Sequence, residues 1–308
     1  MGRRNPKSEI RNSKYLIVVS LAIISFTSCS FIWADGGGGV ETEDVAQTWP
    51  VPRGPAHDLA PYQYDAGILK SVPKEFLEDA AACILYTSVT NLVEPDGTIE
   101  TITHEITRLN SRKSLEKLGE FRSITYDPSF EKLTLNEARV LKADGRAVPV
   151  EPRHVQLRDQ ITDYLVYDRD KQVIISFPML EVGDVIEVKW SVRGKHPEFQ
   201  GHFFARYGFG DDRYPVVRDE MRVRIPKQRT LKFACAGGKI EPDIQEDRSW
   251  RTYHWESRNR RELPQDEFLP SKEEFRLEVA CSTFASWDEV LEWKRKLRGD
   301  CWTYTPEL

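Results

Sequence analysis

The chain has 308 residues, 40% of them apolar, enough for a substantial core, and its eight Trp, eleven Tyr and fourteen Phe favour β-rich packing. The formal net charge is −5. The first 34 residues carry +4 (Arg3, Arg4, Lys7, Arg11 and Lys14 against Glu9), which leaves −9 for the rest, and so acidic a body excludes nucleic acid and anionic lipid as main partners.

The basic stretch "MGRRNPKSEIRNSK", the apolar run "YLIVVSLAIISFTSCSFIWA" and the "DGGGG" after it read as a signal peptide over 1–34, cleaved after Ala34. The apolar run is also about long enough to span a bilayer, so an uncleaved anchor stays open. So does lipid attachment at Cys29, although Phe26 is large for a lipid-attachment box. Each reading exports the body to a periplasmic or extracellular setting, with the membrane met only through this segment. Export permits disulfides, and Cys83, Cys235, Cys281 and Cys301 allow three pairings, none selected by spacing. Free or buried thiols suit a domain large enough to do without staples.

Residues 35–75 are Gly- and Pro-rich and unpatterned, a linker or extended arm closed by one or two helical turns in "VPKEFLEDAAA". "CILYTSVTNLV" and "TIETITHEITRL" flank a Pro-Asp-Gly turn and predict a β-hairpin with Ile102, His104 and Ile106 on one face. His104 is expected to be a satisfied core histidine. "SRKSLEKLGEF" reads as a helical or loop crossover. In "EKLTLNEARVL" Leu133 and Leu135 have one parity and Ala138 and Val140 the other, which predicts a β-bulge at Asn136 or Glu137.

"FPMLEVGDVIEVKW" reads as a second hairpin turning at Gly183 and Asp184. Val173, Ile175 and Phe177 line a face of the strand before it, and Ile186, Val188 and Trp190 a face of the strand after it. Alternation places Glu187 on the opposite face, where replacement by Gln should matter little. Pro178 ends the first strand because it cannot donate to a ladder. "MRVRIP" sets Met221, Val223 and Ile225 inward and Arg222 and Arg224 outward, and "SWRTYHWES" alternates again, with His254 opposite Tyr253 and Trp255. Strands at this spacing predict a sandwich. Ser286 followed by Glu289 is a capping box, and Trp287, Val290, Leu291 and Leu297 recur at helical spacing, so an amphipathic helix follows whose stripe needs a partner.

Chemistry is hard to place. "GDCWT", Gly299 to Thr303, resembles the nucleophile motif of transglutaminases. There the Cys opens a helix and the His and Asp follow it; Cys301 comes after a helix and no His follows it. His196 and His202 with Glu198 between them do not share a helical face and find no second ligand cluster, so they read as a solvated loop. "DRDK" and "GDDR" read as charged turns and not Ca²⁺ loops, and "LPQDEFLPSKEEF" as an extended solvated connection. No catalytic, cofactor or metal residue is assigned.

The stretches "EPDGTIETITHEITRLN", "ITYDPSFEKLTLNEARVLKADGRAVPVE", "YDRDKQVIISFPMLEVGDVIEVKWSVRG", "YPVVRDEMRVRIP" and "STFASWDEVLEW" resemble, in order and spacing, the bacterial domain of unknown function that precedes transglutaminase-like domains in secreted proteins. The resemblance implies a mainly β fold, an antiparallel sandwich with a short C-terminal helix. It also implies that the Cys-His-Asp set belongs to a following domain, with the chain stopping at "TPEL" before any of it. The expected organisation is 1–34 targeting segment, 35–75 arm, 76–284 sandwich and 285–308 the opening helix of a transglutaminase-like domain cut short. The expected role is non-catalytic: a scaffold or interaction module contacting a transglutaminase-like domain or a peptide or glycan ligand. A fragment of such an enzyme and a membrane-attached spacer are the alternatives.

Overall fold

A computed structural model describes residues 48–118, 122–160, 169–199, 201–264 and 275–299. The targeting segment, "GDCWT" from Asp300 onward and most of "LPQDEFLPSKEEF" lie outside these residues. Among the described residues no helix is long and apolar enough to cross a membrane.

The fold is mainly β. Fourteen strands are described: β1 (Ala82–Val93), β2 (Ile99–Leu109), β3 (Arg122–Tyr126), β4 (Glu131–Leu141), β5 (Ala147–Pro149), β6 (Val155–Asp159), β7 (Lys171–Ile175), β8 (Val185–Gly194), β9 (Phe204–Gly208), β10 (Val216–Pro226), β11 (Lys232–Ala236), β12 (Asp243–Glu246), β13 (Trp250–Arg260) and β14 (Glu278–Ser282). Helices α1 (Lys74–Glu78), α2 (Arg112–Leu118) and α3 (Trp287–Arg298) accompany them. One large sheet has the order β12-β13-β10-β1-β2-β8-β4-β5. Its neighbours run antiparallel except β1 and β10, which are parallel and are joined through half of the domain, as a parallel pair must be by some crossover.

Two small antiparallel sheets, β3-β7-β6 and β11-β14-β9, cover one face of the large sheet. Trp255, Met221, Val89, Thr103, Trp190 and Leu135 stand in one row across that face. At one end Leu133, Leu135, Val188 and Trp190 pack with Ile124, Val155, Val173, Ile175 and Phe177. At the other end Met221, Val223, Ile225, Tyr253 and Trp255 pack with Phe209, Leu277, Val279 and Cys281. Period-two alternation thus builds two cores on one side.

The hairpin expected at Phe177–Trp190 does not form. β7 pairs with β3 and β6, whereas β8 lies between β2 and β4. The two apolar faces read from the sequence are real, but they meet in the same core. Strands that present apolar faces to each other bury them by stacking in two layers, not by sharing a ladder. Residues 176–184 make the crossing. Met179 takes φ 50° and Gly183 φ 99°, and the Gly183 N–H donates to the Leu109 carbonyl at 2.6 Å.

Other expectations hold. The β1–β2 hairpin forms, and the β4–β8 register shifts between Leu135 and Glu137, at the bulge read from parity. The described part of the N-terminal stretch runs without regular structure to Asp65 and then forms a 3-10 helix, Ala66–Ser71. The Pro52 carbonyl accepts from Leu135 N at 2.9 Å and Arg53 bridges Leu135, so the arm joins the edge of β4 at the bulge. It then crosses the second face of the large sheet and reaches α1. Ser286 caps α3, accepting from Glu289 N at 3.3 Å.

Candidate functional site

The second face of the large sheet carries a buried apolar cluster around Tyr86 and Ile106 and, beside it, a polar, partly buried belt. On β10 the sequence Arg218-x-Glu220-x-Arg222-x-Arg224 sets alternating charges on one face, since residues two apart point the same way. β1 contributes Tyr86, Ser88 and Thr90 beside them; β2 adds Glu100 and His104, β8 Glu187 and Lys189, β4 Arg139, and β13 His254 and Glu256. The outcome is a charged belt across five neighbouring strands and β4.

Glu220 is the hub at one end and is fully buried, at 0% exposure. It pairs with Arg218 and Arg222, accepts from the Tyr86 hydroxyl at 3.0 Å and has His254 Nε2 3.7 Å away. Burial alone would raise its pKa. The nearby His254 and the charges of Arg222 and Arg218 outweigh burial and bring it down to about 2. Burial, with the Glu220 charge beside it, pushes the Tyr86 hydroxyl up to about 12.

Glu187 is the hub at the other end. His104 Nε2 lies 2.9 Å from its Oε1, and Arg139 Nε donates to its Oε2 at 2.8 Å. Against burial, these bonds and charges hold its pKa below the usual carboxylate value. His104 is therefore the satisfied core histidine expected. Glu187, by contrast, is buried and bonded where the sequence reading left it expendable; the second face is covered, so alternation away from the core does not mean solvent. The same holds for Arg222, which is buried on its "outward" side. The hubs communicate through rings: His104 stands edge-on to Tyr86 at 5.4 Å, and Tyr62 of the arm stacks on Tyr86 at 4.0 Å.

Glu220, His254 and Glu256 bring ligand atoms within 4.8 Å of one another. Arg218, Arg222 and Arg258 already neutralise the two carboxylates, so a divalent cation would meet net positive charge. The trio is an ion-pair node and does not fit a metal. Glu220 is held deprotonated by permanent cations, an arrangement that suits charge-sorting recognition over proton transfer.

The residues considered from sequence lie elsewhere. His196 and His202 are not in a solvated loop. His196 stacks on Phe199 at 4.0 Å and His202 on Phe284 at 4.0 Å, with Glu289 3.7 Å from His202. Burial, countered by Glu289 and reinforced by Arg229, lowers the His202 pKa. Phe199 and Phe284 receive Trp293, whose indole N–H donates to the Glu198 carbonyl at 2.7 Å, and so attach α3 to the body. "GDDR" is a turn, as read: Asp211 Oδ1 accepts from Arg213 N and Tyr214 N. Cys83, Cys235 and Cys281 are free thiols, and burial pushes Cys83 and Cys281 up to about 12. Cys301 lies outside the described residues. The belt itself escaped notice because strands with charge at every second position read as half-solvated.

The sequence model of a domain of unknown function with solved structure, DUF3857, matches residues 95–262, just over half of the chain. This chain belongs to the DUF3857 family. The match takes in β2 to β13 and therefore most of the belt, from Glu100 to Glu256. The fold is similar to that of a "putative protease" from Parabacteroides distasonis (TM-score 0.63, 18% identity), over 68% of this DUF3857 chain and 42% of that one. An M1 zinc metallopeptidase from Deinococcus radiodurans also matches, at TM-score 0.34 and 12% identity, over 67% of this chain and 43% of that one. The chain thus spans less than half the length of either. No curated protein matches it.

Proposed function

We propose that this DUF3857 chain does no chemistry of its own and serves as an exported scaffold or interaction module beside a transglutaminase-like cysteine peptidase or acyl transferase. The observation that carries the reading is the orientation of α3. Trp293 and Glu289 face the body, while Leu291 is 45% and Leu297 39% exposed and none of the helix is buried. At about 100° per residue Leu291 stands roughly 160° round the helix from Trp293. Leu291 is therefore turned towards something other than the sandwich the helix sits on, whereas Leu297, one turn after Trp293, stands on the Trp293 side.

Two further features support the reading. The thiols of Cys83 and Cys281, at about 12, are poor nucleophiles. The belt carboxylates Glu187 and Glu220 are tied up with arginines. The partial coverage of the "putative protease" favours a second reading, in which the chain is a fragment of such an enzyme and catalysis belongs to residues outside this sequence. A spacer attached to the envelope through residues 1–34 is the third.

The test is binding between this chain and the transglutaminase-like domain of a family member that carries both, supplied as a separate polypeptide and followed by calorimetry. The parent should bind, and a Leu291→Glu variant should lose at least tenfold in affinity with its melting temperature unchanged. Equal affinity for parent and variant, or no binding by the parent, would overturn the role given to α3.

A further inference from the structure

The arm is buried at both ends and only half-buried between them, where Tyr62, Tyr64 and Leu69 pack on the sheet. Val51 is 3% exposed, Val72 6% and Phe76 4%, yet from Pro52 to Ser71 no residue is buried. Over that span it lies on a face whose own residues are buried: Glu100 at 4%, His104 at 3% and Glu187 at 3%. The arm adds no strand over the belt. Its contacts there are made by side chains: His57 Nδ1 to Glu100 Oε2 at 2.7 Å, Asp58 to Lys189, and Tyr62 on Tyr86 with the Arg218 guanidinium 5.7 Å from the Tyr62 ring. His57 is largely exposed, so its pair contributes little; Asp58 and Lys189, with side chains 13% and 14% exposed, make the firmer hold. The floor keeps its order without them, since Glu187 and Glu220 are held from within the sheet.

We propose that the second face of the large sheet is a binding site for an extended peptide of a partner protein, and that arm residues 53–64 occupy it in cis as a displaceable strap. The ligand class follows from the contacts: a segment without regular structure that offers an acidic residue to Lys189, an imidazole or cation to Glu100 four or five residues before an aromatic ring, and that ring to the shelf made by Tyr86 and Arg218. Charge fixes its direction, because reversal would set the acidic residue against Glu100. The covalent link gives the strap a high effective concentration, so a free peptide competes only when the strap is weakened or the peptide fits better. The site is independent of whether a catalytic domain follows, and its failure would leave the role of α3 untouched.

The experiment measures, by fluorescence anisotropy, binding of a fluorescein-labelled synthetic peptide of residues 53–64 to the full chain. An Asp58→Lys/Tyr62→Ala variant, whose strap repels Lys189 and lacks the ring, should bind it at least tenfold more tightly than wild type. Asp58→Lys alone should fall between. Adding Lys189→Asp to the double variant should remove the gain, because the peptide's own aspartate then meets an aspartate. Circular dichroism and melting temperature check that each variant is folded; if the double variant is not, the comparison rests on Asp58→Lys. Equal affinity for wild type and folded strap variants, or a gain that survives Lys189→Asp, would overturn the proposal.

Discussion

His104 Nε2 and Glu187 Oε1 lie 2.9 Å apart on neighbouring strands of the large sheet, each side chain 4% exposed. The bond holds β8 on the side away from the core between the sheets. Val188, one residue on, points into the core between the sheets; Glu187 points away from it and is buried as well.

Both positions are therefore sensitive, for different reasons. Val188→Asp buries an unpaired charge and should cost about 3–5 kcal/mol. Glu187→Gln keeps the shape but leaves Arg139 only the longer pair with Glu137 at 4.0 Å and gives His104 a weaker partner, and should cost about 1–3 kcal/mol. Urea denaturation measures both. A Glu187→Gln variant as stable as wild type would mean that the belt is solvated.

Asp219 gives a pH-dependent contribution of opposite sign to the belt carboxylates. It is 2% exposed, accepts from the Tyr207 hydroxyl and takes the Gly210 N–H at 2.7 Å. Burial raises its pKa to about 6 from 3.8, with the hydrogen bonds working against the rise. A raised native pKa gives stability that is full below about pH 4 and is lost as the pH climbs through 6. The advantage of wild type over Asp219→Asn should therefore shrink between pH 4 and 7, by up to about 3 kcal/mol. Glu220, with its lowered pKa, acts in the other window: its stabilisation is full above about 4.5 and is lost as the pH falls towards 2. Melting curves at several pH values separate the two, and a constant Asp219→Asn difference would refute the first.

Ser286→Ala should cost α3 about 1 kcal/mol, the worth of an N-cap. No residue of this helix is buried, so the loss stays local. Hydrogen exchange should quicken in amides 290–298 while the global melting temperature holds. A fall in global stability would mean that α3 is integral to the sandwich.

Strand faces were legible in the sequence because period-two alternation is local. Met221, Val223 and Ile225 read inward and are buried, and the parity change in β4 marked its bulge before any partner strand was known. Pairing was not legible. Val173 and Val188 carry apolar faces that fit a hairpin or two stacked layers equally well, and only the competition among all the strands of the domain decides between them. His104 was legible as a core histidine, but Glu187, Glu220 and Arg222 were not. Their burial comes from cover supplied by distant segments, such as the arm with Tyr62, whose own composition has no period to announce where it lies.

The most direct measurement for the account as a whole is turnover. Purified residues 35–308 are assayed for amine incorporation and for peptide and amide hydrolysis, beside a Cys301→Ala control. The account predicts no activity above background in either, because a nucleophilic thiol needs a base within about 3 Å and a third group to orient that base, and no histidine follows Cys301 in the sequence. Turnover in the parent that disappears in Cys301→Ala would contradict it and make "GDCWT" a working site.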